Sequence, residues 1–203
     1  YGAGVAAAAS SGLKSAGVKI ATQVTIDPSS SDYSTAVLQI QNAEPDVVYC
    51  GCLGAEAGRL LKQLRAAGVQ AEYVGPAGIE ISPFLQQAGS AAEGAYATAA
   101  TPAEQNSPAI KKLDEQLSAT YHLSSGAGYF VPQWYDATQA YLRAIAAGKH
   151  TRAGINTWLS TADFQGVSGQ IKFDSKGDVA GHAETIYKVA NGKFVYHSEL
   201  TGD

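Results

Sequence analysis

The sequence has no methionine, only two cysteines and a small net charge, and each of these features excludes something. Without a methionine the chain has no translation start, so we expect a processed or cut product that has lost a segment upstream of Tyr1. No secretory signal peptide is recognisable. No apolar run approaches the roughly 20 residues that a membrane-spanning helix needs. The net charge of -4 gives no basic surface for nucleic acid or anionic lipid.

The two cysteines, Cys50 and Cys52, are separated only by Gly51. A disulfide across so short a loop is strained, and two thiols without a neighbouring histidine fall short of a zinc site with four ligands. We therefore interpret them as two small residues at the end of a strand. They do not indicate the compartment in which the protein works.

The first half of the chain alternates between helical and extended patterns. At 203 residues, of which 45% are hydrophobic, the chain can bury the core of one large domain or two small ones. The alternation of helices and strands predicts an α/β fold, with a parallel sheet flanked by helices on both faces. Such sheets bind ligands beyond the carboxyl ends of their strands. The predicted helices cover residues 3–16, 32–43, 56–67 and 82–92, and the predicted strands cover residues 18–26, 46–50, 73–76 and 94–101.

The second half begins with three consecutive helices that have no sheet of their own in the sequence. They begin near Ser107, Tyr135 and Thr151, and two extended segments follow at 169–174 and 184–196. The second of these is a hairpin that turns at Asn191-Gly192. Nothing in the sequence covers the apolar helix faces, so we expect a second polypeptide or preceding residues to do so. These faces carry Leu113, Leu117, Leu142 and Ile145.

Several short sequence motifs, found in order along nearly the whole chain, carry a family resemblance. They are Tyr1-Gly2-Ala3-Gly4, Pro45 to Tyr49 with the helix over 58–68, Ala91-Ala92-Glu93-Gly94, Tyr135-Asp136-Ala137, and Phe173-Asp174 with Gly177-Asp178. Together they resemble the latter part of a type I periplasmic binding protein of the leucine/isoleucine/valine-binding kind. The resemblance implies two Rossmann-like lobes with helix-flanked parallel sheets, the first lobe being incomplete here. It assigns 1–98 to the second lobe without its first strand, 99–166 to first-lobe helices, and 167–203 to strands that return to the hinge and second lobe.

The same resemblance implies which residues line the ligand cleft between the lobes. Tyr1 matches a tyrosine that lies against the ligand, Leu53 a position that is often aromatic, and Phe130 an aromatic wall. Ala77 matches the acidic residue that pairs with an ammonium group, which leaves Glu80 as a substitute or favours a ligand without an ammonium. The alternatives are a disordered terminus for Tyr1, ordinary core for Leu53 and Phe130, and a solvated loop charge for Glu80.

The function implied is the substrate-binding component of an ABC-type uptake system, which captures an amino acid or a related organic or aromatic acid. The expected partners are that ligand, the membrane permease subunits and the N-terminal remainder of the same protein, without nucleic acid. The expected location is periplasmic or extracellular, with a lipid anchor as one option. A sensory ligand-binding domain of the same fold is the alternative within this class. We expect no enzymatic activity and no cofactor.

One enzyme class competes with this interpretation. Gly2-Ala3-Gly4-Val5-Ala6-Ala7 fits the Gly-x-Gly-x-x-Ala dinucleotide fingerprint, and Asp27 lies where a ribose-binding acid belongs, which would suit an NAD(P)-dependent oxidoreductase. No other catalytic or metal pattern is found. Asp174 and Asp178 indicate a turn around Gly177. The histidines are scattered and are predicted to be surface or capping residues, namely His122, His150, His182 and His197.

Overall fold

The computed structural model describes residues 1–99, 107–122, 130–180 and 184–200. The chain divides into two compact units. The first unit contains Tyr1–Ala99 and Thr185–Ser198, and the second contains Ala100–Glu184 and Glu199–Asp203.

The helices and strands of the described residues follow the predicted order closely. The α-helices are α1 (Gly2–Ser15), α2 (Ser34–Ala43), α3 (Gly54–Ala66), α4 (Ser82–Ala88), α5 (Pro108–Tyr121), α6 (Val131–Ala146) and α7 (Arg152–Leu159). The strands are β1 (Val47–Tyr49), β2 (Glu72–Gly75), β3 (Tyr96–Ala99), β4 (Asp163–Gln165), β5 (Gln170–Lys172), β6 (Glu184–Ala190) and β7 (Lys193–Leu200). Short 3-10 helices cover Ala77–Ile79 and Gly89–Ala92. The last residues of the predicted strand 94–101 lie outside the described residues.

The main sheet has five strands in the order β1-β2-β3-β6-β7. Neighbouring strands among β1, β2 and β3 are parallel, whereas β6 pairs antiparallel with β3. The parallel arrangement predicted for the first half of the chain is confirmed for β1, β2 and β3, and the sheet as a whole is mixed. The reason is the predicted hairpin: β6 and β7 turn at Asn191 and Gly192, both at positive φ, so one of the two must oppose the parallel strands. A separate antiparallel pair joins β4, which was not predicted, to β5.

The core of the first unit lies under α3 and α4. The apolar face of α3 is buried, with Leu61 and Leu64 at 0% and 1% exposure. Phe84 of α4 is fully buried between the rings of Tyr73 and Phe194, with centroid distances of 6.2 and 5.8 Å. Burial raises the pKa of the Tyr73 phenol, which donates a hydrogen bond of 3.1 Å to the Ala57 carbonyl. This packing holds α3 and α4 together at one face of the sheet.

Two of the three helix starts in the second unit lie where they were predicted, at Ser107 and Thr151. The Ser107 hydroxyl accepts a hydrogen bond of 3.2 Å from the amide of Ile110 at the start of α5. The Thr151 hydroxyl accepts one of 3.1 Å from the amide of Gly154 at the start of α7. Both caps satisfy amides that a helix leaves without an internal partner, and both predictions are confirmed.

The strand predicted over residues 18–26 is absent, because that segment forms no ladder with the described strands. Val24 and Ile26 nevertheless pack against the core. In this segment the β-branched pattern therefore coincides with partial burial of Val24 and Ile26 and not with sheet pairing. Among the described residues β1 is an edge strand, and its Val47 is 53% exposed.

The apolar helix faces of the second unit are only partly covered. Leu142 and Ile145 of α6 are 52% and 43% exposed, as expected of faces that the sequence cannot cover. Leu113 of α5 is buried and Leu117 is partly buried, so the expectation that nothing in the chain covers them is wrong. In the described parts of the chain, no helix combines the length and the apolar character needed to cross a membrane.

A buried carboxylate ties α6 to the turn between β4 and β5. Asp136 is 2% exposed and accepts hydrogen bonds from the amides of Val167 (2.9 Å) and Ser168 (2.7 Å) and from the Ser168 hydroxyl (2.6 Å). Gly166 completes the contact, because any Cβ there would collide with the Asp136 carboxyl group. The predicted helix start near Tyr135 is wrong, since α6 begins at Val131.

Candidate ligand-binding site

Three of the predicted site positions meet at the carboxyl edge of the parallel strands. Leu53 lies at the end of the loop that follows β1, and Ala77 lies in the turn that follows β2. A Cβ placed on the neighbouring Gly78 would lie 3.0 Å from Leu53 Cδ2 and 3.3 Å from Tyr1 Cε1. The absence of a side chain at Gly78 therefore lets the tyrosine ring and the leucine side chain converge on this turn.

The side chains at this edge form an exposed apolar surface. Tyr1 is 68% exposed and Leu53 is 50% exposed, so the alternative of Leu53 as ordinary core is wrong. Ile81, which the sequence analysis missed, is 36% exposed and packs at Gly54 beside Leu53. We call Tyr1, Leu53, Ile81 and the Ala77-Gly78 turn the apolar wall. An apolar residue immediately before the first residue of a helix was the only available sequence signal for Ile81.

Glu80 is buried in the turn next to the apolar wall. It is 3% exposed, so the alternative of a solvated loop charge is wrong. It lies between the 3-10 helix Ala77–Ile79 and α4. Keeping a carboxylate out of water is costly unless other groups compensate for its lost hydration. A buried acid directly before Ile81 keeps Glu80 a candidate for the polar part of the site.

Two glycines hold the start of α1 against the loop that follows β1. A Cβ on Gly51 would lie 2.7 Å from the Gly2 carbonyl oxygen and 3.3 Å from the Ala6 amide nitrogen. A Cβ on Gly2 would likewise collide with the Gly51 carbonyl oxygen. Only glycines allow this approach, and the approach places Tyr1 beside Leu53.

The two cysteines that flank Gly51 form a disulfide, with their Cα atoms 5.2 Å apart. The interpretation of two small residues at a strand end is thus wrong in leaving out the bond. Cys50 is buried in the core, and Cys52 is partly exposed and packs against the same core. The disulfide therefore lies in the loop that carries Leu53.

Phe130, the remaining predicted wall residue, immediately precedes α6 in the second unit. It is 38% exposed, so the alternative of ordinary core is wrong. Its role in ligand binding stays a prediction.

The dinucleotide fingerprint does not have the geometry that it requires. A phosphate-binding turn places its first glycines in a tight loop before the helix. Gly2 and Gly4 instead lie within α1, and Gly2 contacts Gly51. Asp27 is exposed and accepts hydrogen bonds from the Ser29 amide (2.9 Å) and hydroxyl (2.7 Å), which hold the pKa of its carboxyl group below its usual value. It is a turn residue.

One further acid and two histidines make local structural contacts. Asp174 accepts hydrogen bonds from the amides of Lys176 and Asp178, which confirms the turn around Gly177. His122 ends α5 and His197 packs against the Tyr96 ring at 5.4 Å. His182 lies outside the described residues. Across the described ranges, no three His, Cys, Asp or Glu side chains are grouped as a metal site would require.

Comparison with known proteins assigns these features to one group. A family model described as periplasmic binding protein matches residues 1–193. The Leu/Ile/Val/Thr-binding protein of Salmonella typhimurium is 34% identical over 181 residues, which cover 89% of this chain and 48% of that protein. The leucine-, isoleucine-, valine-, threonine- and alanine-binding protein of Pseudomonas aeruginosa is 30% identical over 189 residues, which cover 93% of this chain and 50% of that protein.

Solved structures give the same result for the fold. A leucine binding protein from Thermotoga maritima superposes with a TM-score of 0.75 at 25% identity, over 89% of this chain and 51% of that one. The chain spans about half the length of the curated relatives it matches.

Proposed function

Because the chain belongs to the periplasmic binding protein family over residues 1–193, we propose that it forms part of the substrate-binding component of an ABC-type uptake system. The observation that carries the proposal is the apolar wall, an exposed apolar surface at the carboxyl edge of parallel strands. That edge is where open α/β sheets bind ligands. The role is capture and delivery, not catalysis. The curated relatives are named as binding proteins, which favours uptake over a sensory role or a dinucleotide-dependent oxidoreductase.

The ligand that suits this wall is a small metabolite with an apolar body, namely an amino acid or a related organic or aromatic acid. Leu53, Ile81 and the Tyr1 ring provide apolar contact area. Ala77 provides no charge for an ammonium group, and Glu80 is the acid nearest to it in sequence. A ligand carboxylate requires hydroxyl or amide donors, and we assign these to the N-terminal remainder of the protein.

We propose that the same N-terminal remainder covers the exposed apolar face of α6. Leu142, Ile145 and Tyr141, at 54% exposure, leave a continuous apolar stripe on this helix. Uncovered stripes of this kind are usually interaction surfaces. The intact protein would act in the periplasm or at the outer cell surface, with a lipid anchor as one arrangement, and would deliver its ligand to membrane permease subunits.

The direct test replaces Leu53 by alanine in the intact protein. Calorimetric titration with leucine, phenylalanine and their deaminated analogues is expected to show binding by the unmodified protein. Leu53→Ala is expected to weaken that binding by about tenfold, because the ligand loses apolar contact area. Leu38→Ala is the matched control, because Leu38 is 56% exposed on α2 and lies outside the apolar wall. Equal affinities for the two variants would contradict the site, and no binding of any of these compounds would contradict the proposed ligand class.

A second variant tests the ammonium position. Ala77→Glu introduces a carboxylate into the turn and is expected to shift the affinity ratio of leucine to its deaminated analogue, 4-methylpentanoate, by about tenfold toward leucine. Ala77→Gln is the control, because it has nearly the same volume but no charge. The ratio is measured by calorimetry at pH 7. An unchanged ratio, or the same shift with glutamine, would show that Ala77 does not face the charged end of the ligand.

A further inference from the structure

The loop that joins β1 to α3 contacts both the start of α1 and the turn that follows β2. Gly51 packs against α1 at Gly2 and Ala6. The Cys52 carbonyl oxygen lies 3.4 Å from the position of a Cβ on Gly78, and the Leu53 side chain lies 3.0 Å from the same position. Residues 50–53 therefore set where Leu53 stands relative to Tyr1 and the turn after β2.

The disulfide spans this loop asymmetrically. Cys50 is 5% exposed within the core, and its amide donates a hydrogen bond of 2.9 Å to the Val74 carbonyl, which anchors it to β2. Cys52 is partly exposed and has no strand or helix of its own. Cys50 is thus fixed to the sheet, whereas Cys52 is only partly buried and immediately precedes Leu53.

We propose that the Cys50–Cys52 disulfide is a redox switch that fixes the apolar wall in its binding conformation and releases it on reduction. The ligand-affinity part of this inference rests on the proposed function, whereas the conformational part does not. The chemistry needs a small dithiol as reductant. A thiolate of the dithiol attacks the Cys52 sulfur and displaces Cys50 as thiolate; the second dithiol sulfur then attacks the first and displaces Cys52. Two electrons and two protons pass to the cysteines, and the dithiol leaves as a disulfide.

The expected consequence is looser positioning of Leu53. In the oxidised form the bond restricts the backbone between Cys50 and Cys52, and in the reduced form residues 51–53 regain conformational freedom. A ligand that needs the wall in one conformation must then order it on binding. Its apparent affinity falls by the fraction of molecules in the competent conformation. We expect a loss of about fivefold to tenfold on reduction.

Two measurements on the intact protein test the switch. Amide hydrogen exchange of the oxidised and dithiothreitol-reduced forms is compared in peptides that cover 49–56 and 76–82, with the leucine dissociation constant measured on both forms. Faster exchange confined to these peptides and a weaker dissociation constant on reduction are the expected results. Cys50→Ala/Cys52→Ala should match the reduced form and ignore dithiothreitol. If that variant does not fold, Cys52→Ser, which keeps Cys50 in the core, takes its place.

The outcomes separate the switch from the proposed function. Equal exchange in both forms overturns the switch, and so does a variant without the disulfide that still responds to dithiothreitol. Altered exchange with equal leucine affinity overturns the link to binding. If leucine binds neither form while exchange still responds to reduction, the conformational switch is supported and the choice of leucine as ligand is contradicted.

Discussion

Asp136→Ala is expected to destabilise the second unit by about 4 kcal/mol, because two amides and a hydroxyl lose a charged acceptor in a buried place. The affected donors are the Val167 amide and both donor groups of Ser168. Without this acceptor the turn between β4 and β5 is no longer tied to α6. The effect is large because burial prevents water from replacing the carboxylate.

Thermal and urea unfolding of the intact protein provide the measurement, with circular dichroism and calorimetry as readouts. Glu115→Ala is the control, since Glu115 is an exposed carboxylate on α5 of the same unit, and its loss should change stability by less than about 0.5 kcal/mol. The stability loss of Asp136→Asn should fall between the two. The asparagine oxygen still accepts a hydrogen bond, but its NH2 group would face the donors of Val167 and Ser168. A loss below about 1 kcal/mol for Asp136→Ala would contradict the proposed stabilising role of this carboxylate.

Gly58→Ala and Gly12→Ala are expected to change stability in opposite directions, although both replace a glycine within a helix. A Cβ on Gly58 of α3 would lie 2.5 Å from the Phe84 carbonyl oxygen and 3.1 Å from the Ala88 amide nitrogen of α4. Both neighbours are backbone atoms, so no side-chain rotation relieves the overlap. The helices must separate, which costs about 3 kcal/mol by overpacking, and alanine's better helix propensity recovers about 1 kcal/mol of it.

Gly12 of α1 has no heavy atom within 4 Å of the position that a Cβ would occupy, so alanine there gains propensity without a collision. We expect Gly12→Ala to stabilise the protein by about 0.5 to 1 kcal/mol and Gly58→Ala to destabilise it by about 2 kcal/mol. Denaturant unfolding of both variants provides the measurement. Stabilisation by both substitutions would mean that α3 and α4 do not approach each other as closely as the contact at Gly58 requires.

Comparison of the α3 and 18–26 segments shows which kind of structure the sequence could predict. The stripe of Ala57, Leu60, Leu61 and Leu64 recurs with the helical period, and α3 buries all four. Residues 18–26 have an equally clear β-branched pattern but form no strand. A helix closes its hydrogen bonds within the segment, whereas a strand requires a neighbour that the segment itself does not contain.

The candidate site follows the same division. The carboxyl edge of the parallel strands was predicted from the order of the elements, and Leu53 and Ala77 do lie there. The convergence of Tyr1 and Leu53 on Gly78, and the burial of Glu80, depend on contacts between loops that are far apart in the chain. Residue types alone favoured a solvated Glu80, because most loop carboxylates are exposed.

By itself, the sequence determined most of the helices, the helix starts at Ser107 and Thr151, and the hairpin at Asn191-Gly192, because these depend on neighbours within a few residues. Only the tertiary structure decided that Asp136 accepts hydrogen bonds from residues 31 and 32 positions away, and that Tyr1 stands beside Leu53. Contacts of this kind depend on how separate elements pack, and burial then sets the energy of each polar group.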